Sequence, residues 1–220
     1  MKNTHYPITG NTAEEVALSS NNRLKRITEE LEVDEKSMTI GSDGLQVRPA
    51  SSSGLARTAS GLAIGHVPYA LISDSTTQLI AVAANAQAIT FNTNEELYDI
   101  THSTTSGTSR VVVNTAGKYL IFISAITSIA SGAVPQNARI WFAVNGTYIP
   151  RSNTIVTMTS TSQKYTLAVS FIYTFNARDY LECYMSGAAT TVQIEAQAEG
   201  TLPTRPACPS IILTMNFISV

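Results

Sequence analysis

Carboxylates, imidazoles and thiols are the groups here that could do chemistry, and few of them are spaced for it. The three histidines, His5, His66 and His102, stand alone. None has a second ligand at the spacing a metal site needs, and His66 and His102 read as loop residues. Glu95, Glu96 and Asp99 form a small acidic cluster in a predicted loop. Clustered carboxylate oxygens suit a hard cation such as calcium; a solvated loop is the simpler reading. Glycoside hydrolysis needs paired carboxylates across a groove. Asp179 and Glu182 are close in sequence, but their odd spacing puts them on opposite sides of a strand. The chain has no Gly-x-Ser-x-Gly elbow, phosphate loop or Cys-x-x-Cys. Cys183 and Cys208 make no disulfide framework. Cys183 falls in a predicted strand and reads as a small buried hydrophobe, with a single bridge to Cys208 as the alternative. Asn145-Gly146-Thr147 matches a glycosylation sequon, which turn geometry also explains. The expectation is a chain without catalytic residues, cofactor or metal.

Composition narrows the class. Hydrophobic residues make up 44% of the 220 residues and charged residues 14%, against roughly 25% charged in an average domain. Ser, Thr, Asn and Ala fill the gap, as in β-rich extracellular and viral structural proteins. The formal net charge is −2 and no basic block occurs, which argues against nucleic-acid binding. Apolar runs such as Tyr119–Ile123 are strand-length, far short of the roughly 20 residues that span a bilayer, so no membrane insertion is expected. The first residues lack the apolar core of a signal peptide.

Three zones organise the chain. In the first, residues 1–37, Thr12 and Glu15 fit a capping box. Ala13, Ala17, Ser20, Leu24, Ile27 and Leu31 then alternate spacings of four and three, an a/d seam. Ala17, Leu24, Ile27 and Leu31 are its candidate coiled-coil or attachment residues; the alternatives are an ordinary amphipathic helix docked on its own domain or a partner, and a disordered segment. The second zone, residues 38–80, reads as extended steps punctuated by glycine, such as Asp43-Gly44-Leu45 and Gly61-Leu62-Ala63-Ile64-Gly65. It is a stalk or a linker.

The third zone, residues 81–220, is strand after strand. Gln87–Phe91, Ser109–Asn114, Lys118–Ser128, Ala138–Val144, Thr154–Met158, Tyr165–Thr174, Asp179–Met185, Thr191–Ala198 and Ser210–Val220 carry alternation or β-branched and aromatic enrichment. Thr115-Ala116-Gly117, Asn145-Gly146 and Asn176-Ala177-Arg178 separate them. About eight to ten such strands imply an all-β sandwich or barrel.

Several of these segments, in this order, resemble the tumour-necrosis-factor and complement globular-head superfamily. Arg110–Phe122, with Gly117 and Tyr119, resembles the step in which a glycine turn delivers an aromatic strand. Ile140–Gly146 resembles the strand that ends in Asn-Gly. Tyr165–Tyr173, the turn Asn176–Asp179 and Tyr180–Tyr184 resemble its paired strands, although Asn176 and Ala177 replace the family's glycine. Ile211–Val220 resembles its central C-terminal strand. The resemblance implies a jelly-roll sandwich of antiparallel strands and a homotrimer, with Phe122, Trp141, Tyr173, Leu213, Met215 and Phe217 as candidates for the trimer core or axis. With the helix and stalk ahead of it, such a head resembles a bacteriophage or viral appendage. The expected function is a non-enzymatic virion structural protein, foremost a capsid decoration or cement protein exposed on the particle. Its partners would be itself and, through residues 1–37, a capsid or tail protein. One alternative is a short tail or head fibre whose tip meets a host surface receptor. Another is a secreted cytokine-like or pattern-recognition ligand.

Overall fold

The computed structural model describes residues 38–41, 44–47, 49, 55–58, 61–65 and 67–219. The helix expected over residues 1–37, with Ala17, Leu24, Ile27 and Leu31, lies outside them, as do His5, His66 and Val220. The chain divides into two units, residues 1–65 and 66–220.

In the first unit, β1 (Met38–Gly41) pairs with β2 (Gly44–Val47), and β3 (Leu55–Thr58) with β4 (Gly61–Ile64). Glycine opens the second strand of each hairpin. Val47, Leu55 and Leu62 are exposed.

The second unit contains β5 (Tyr69–Asp74), β6 (Gln78–Leu79), β7 (Gln87–Ala88), β8 (Thr93–Tyr98), β9 (Ile100–His102), β10 (Val111–Val113), β11 (Gly117–Ile129) and β12 (Gln136–Val144). It continues with β13 (Thr147–Tyr148), β14 (Thr154–Met158), β15 (Tyr165–Phe175), β16 (Tyr180–Gly187), β17 (Val192–Ile194), β18 (Gly200–Thr201), β19 (Thr204–Arg205) and β20 (Ile211–Ser219). No helix occurs among the described residues. Two seven-stranded antiparallel sheets result. The first runs β15-β11-β20-β5-β8, with β17 on the end of β11 and β6 on β17. The second runs β14-β12-β16-β10-β9, with β13 on β12 and β7 on β16. This all-β architecture is compatible with a jelly-roll-like sandwich.

Period-two alternation builds the core between the sheets. In β11, Tyr119, Ile121, Ile123 and Ala125 are buried, while Lys118, Leu120 and Phe122 face out and are exposed. In β12, Ala138, Ile140, Phe142 and Val144 point inward; in β16, Leu181, Cys183 and Met185 do. Phe142 of the second sheet meets Phe171 of the first, ring centroids 4.7 Å apart. Fully burying one large aliphatic or aromatic side chain contributes about 1.5–3 kcal/mol, and this core holds many.

The sandwich begins earlier than the sequence suggests. Tyr69–Asp74, assigned above to the stalk or linker, pairs along β20 from Asn216 to Ile211. Ala70 and Ile72 are buried, yet a single short strand has too few alternating positions to separate it from an extended linker. β20 itself lies between β11 and β5, so the C-terminal strand is central.

Candidate functional site

Two outward surfaces of the second unit carry side chains that the core does not account for. The first is the solvent side of the first sheet. Leu120 stands opposite Ile172 on β15 and Asn216 on β20, and Asn216 in turn faces Tyr69 on β5. Tyr69 stacks on Tyr98 of β8, with centroids 6.0 Å apart and planes 25° apart. Phe122 faces Ser170 and Thr214 in the next row. Ile172 is 60% exposed and Phe122 40%. Of the outward residues of β11, β15 and β20, only Lys118 is charged. A sheet face bathed in water ordinarily alternates apolar with charged or strongly polar residues.

The second surface lies on the outward side of the other sheet. Trp141 of β12 stands opposite Tyr184 of β16, and Ala143 lies between Tyr148 of β13 and Glu182 of β16. The three rings touch. Trp141 and Tyr184 stack at 6.0 Å, Trp141 meets Tyr148 edge-on at 5.7 Å, and Tyr148 meets Tyr184 at 5.4 Å. Beside them lies a buried carboxylate. Glu182 accepts from Ser109 Oγ at 2.8 Å and Tyr184 Oη at 3.2 Å. Arg110 Nε reaches it at 3.5 Å, while that guanidinium lies 4.6 Å from the centre of the Tyr180 ring. Burial, then the neighbouring Glu182 charge, raises the Tyr184 phenol above its ordinary range.

The six trimer-core candidates fall in different places. Phe122 is exposed on the first surface. Trp141 belongs to the second, on the other sheet. Leu213 and Met215 are fully buried in the chain's own core, so they cannot also line a surface between chains; it is their alternates on β20 that face out. Tyr173 and Phe217 pack on the edge of the same core. Tyr173 meets Phe175 at 4.9 Å, and Phe217 meets Tyr119 at 5.4 Å. β20 is partly apolar at both sets of positions, and its register against β11 puts the Leu213 and Met215 set inside.

The acidic cluster disperses. Glu95 and Glu96 lie in strand β8, not in a loop. Glu95 accepts from Ser73 Oγ at 2.9 Å, Glu96 faces Leu71, and Asp99 accepts from Thr115 Oγ1. No grouping of three metal-binding side chains occurs among the described residues. His102 is also no loop residue. It ends β9, is buried, and places Nδ1 2.6 Å from Asn94 Oδ1 and Nε2 3.0 Å from the Thr108 carbonyl. Isolation in sequence cannot reveal a partner supplied by a neighbouring strand. Cys183 and Cys208 are both free, one buried and one exposed, and no bridge joins them in this structure. Asn145 and Gly146 adopt φ of 52° and 77°, the two positive values of a type I′ hairpin, so the Asn-Gly pair is fully explained by its turn.

Glu182, Arg110, Tyr148, Tyr184, Leu120 and Ile172 were missed as surface candidates. Alternation within β11 flags Leu120, and the Asn145-Gly146 hairpin flags Tyr148. Grouping Tyr184 and Glu182 with them requires the β12–β16 register. No protein-family model matches the chain, and no curated protein is similar to it.

Proposed function

We propose that this chain is the subunit of a non-enzymatic homotrimer serving as a structural protein of a virion, foremost a bacteriophage capsid decoration or cement protein. The observation that carries the self-association is the outward surface of β11, β15 and β20, where Leu120, Phe122 and Ile172 are exposed and Lys118 is the one charged residue; the charges of this sheet's outward side lie at its β8 edge, on Glu95 and Glu96. Burying such a face against other copies recovers about 25 cal/mol per Å² of apolar area. Strand order supports the jelly-roll reading. Taking β5, β10, β11, β12, β14, β15, β16 and β20 as first to eighth, one sheet orders first, eighth, third, sixth and the other second, seventh, fourth, fifth. That order fits two interlocked Greek keys. The central β20 fits the superfamily resemblance. The virion role rests on that resemblance together with the helix and stalk expected from the sequence of residues 1–80.

Light scattering of the purified full-length chain tests the trimer, with an expected mass three times 23.6 kDa. Ile172→Glu should reduce it to the single-chain mass while leaving the sandwich folded. A wild-type chain that stays monomeric at micromolar concentration would end this reading. A short tail or head fibre is the second reading, favoured by the two glycine-opened hairpins ahead of the sandwich. Copy number per particle separates the two: hundreds for decoration, tens or fewer for a fibre.

A further inference from the structure

The aromatic and charged face of the second sheet is not explained by self-association through the first. Cross-strand aromatic pairs stabilise a sheet by about 0.2–1 kcal/mol each, which accounts for Trp141 against Tyr184. It does not account for a carboxylate beside them. Removing a carboxylate from water is costly unless it is paired and fully hydrogen-bonded. Glu182 is 7% exposed, and its ion-pair partner Arg110 stays 56% exposed at 3.5 Å. Ser109, Tyr184 and Arg110 satisfy the carboxylate, so it fixes a phenol and a guanidinium at the edge of the aromatic wall.

The combination suits a sugar. A pyranose presents patches of C–H groups bordered by hydroxyls. Partly exposed aromatic rings cover the former, and fixed guanidinium and phenol groups exchange hydrogen bonds with the latter. Binding sites for small molecules characteristically join aromatic walls to a few convergent polar groups. Arg139 adds a charge preference. It lies two residues before Trp141 on the same outward face of β12, is exposed, and forms no ion pair among the described residues. A free guanidinium beside an aromatic wall matches a carboxylate, which it can hold through two parallel hydrogen bonds.

We propose that this face, built by Trp141, Tyr148, Tyr184, Glu182, Arg110 and Arg139, binds a carboxylate-bearing saccharide. The inference stands on the second sheet alone and does not depend on the trimer.

Trp141 is the one tryptophan in the chain, so its emission reports directly on the face. The full-length protein is titrated with 3′-sialyllactose, digalacturonate and a hyaluronan tetrasaccharide, and with lactose as the neutral control. At least one acidic saccharide should give a saturable change in emission below about 10 mM, with lactose at least about tenfold weaker. Arg139→Ala and Tyr148→Ala should each weaken binding by about tenfold or more, equivalent to about 1.4 kcal/mol. Both residues are exposed, so an unchanged melting temperature in each variant separates lost binding from lost fold. Three results would overturn the proposal: no saturable change with any acidic saccharide, equal binding of lactose, or full affinity in both variants.

Discussion

Asn145 and Asp179 tie together two turns that are far apart in sequence. Asn145 Nδ2 donates to Asp179 Oδ1 at 2.7 Å, and Asn145 Oδ1 accepts from the Tyr180 amide at 3.0 Å. The other oxygen of Asp179 accepts the Asn176 amide at 2.7 Å. The clamp holds the β12–β13 hairpin against the turn between β15 and β16, so it sets the register in which Trp141 meets Tyr184. Hydrogen bonds to a charged group contribute about 1.5–3 kcal/mol. Asn145→Gly, which suits the positive φ, should lose only the clamp and destabilise the chain by an amount in that range, whereas Asn145→Ala should cost more because the alanine Cβ strains the positive φ. In a double-mutant cycle with Asp179→Ala, a coupling of about 0.5–3 kcal/mol is expected. Additive denaturant midpoints would show that the two turns are independent.

Gly117 is the most constrained glycine of the sandwich. Its φ is 154°, and a Cβ there would lie 2.4 Å from Phe217 Cε2 and 2.7 Å from the Ser219 carbonyl. The ring could shift, but the β20 backbone could not without loosening its pairing with β11. Gly117→Ala should cost at least about 3 kcal/mol, combining backbone strain with overpacking. Urea unfolding would show this as a lower midpoint at unchanged slope. A wild-type midpoint would mean that the end of β20 is free to move.

The two thiols should differ sharply in reactivity. Burial, reinforced by the Glu182 charge, pushes the Cys183 thiol far above its ordinary range, and only the thiolate is a good nucleophile. Cys208 is exposed. Ellman's reagent should modify one thiol per chain in native protein and both in denaturant. Release of two equivalents without denaturant would contradict the packing of β16.

Alkali should find a weak point at Tyr119. Burial, then the Asp99 charge, pushes its phenol up to about 12, from 10.0 in the unfolded chain. Its hydroxyl donates to the Thr115 carbonyl at 2.7 Å. A raised folded value means that the fold favours the neutral form. The stability this group contributes is therefore complete below pH 10.0 and is lost as the pH climbs through about 12. Tyr119→Phe should cost some stability at neutral pH but flatten the alkaline limb of a melting-temperature profile. An identical limb in both proteins would assign the alkaline loss to other groups.

Much of the sandwich could be read from the chain in order. Alternation placed β11, β12, β15, β16 and β20 nearly at their observed bounds, because a half-buried strand must repeat every two residues. Asn145-Gly146 announced its hairpin, because few residue pairs accept two positive φ values in succession. Gly117 marked the entry to the aromatic strand. Low charge and abundant Ser, Thr and Ala foretold a β-rich chain. These features are local, and local sequence is enough to determine them.

What the tertiary structure decided is which side of each strand faces what. β20 offers Leu213 and Met215 at one set of positions and Ile212 and Ile218 at the other; pairing with β11 and β5 puts the first set in the core and leaves the second outside. Tyr69–Asp74 has too few residues to declare itself a strand, and becomes one because β20 provides its ladder. His102 looks solitary until Asn94 and the Thr108 carbonyl close on it, and Glu95, Glu96 and Asp99 look clustered until separate partners disperse them. Trp141, Tyr148, Tyr184 and Glu182 become one surface only when β12 and β16 settle into register. Pairing between strands distant in sequence sets these relationships, and no window along the chain contains both partners.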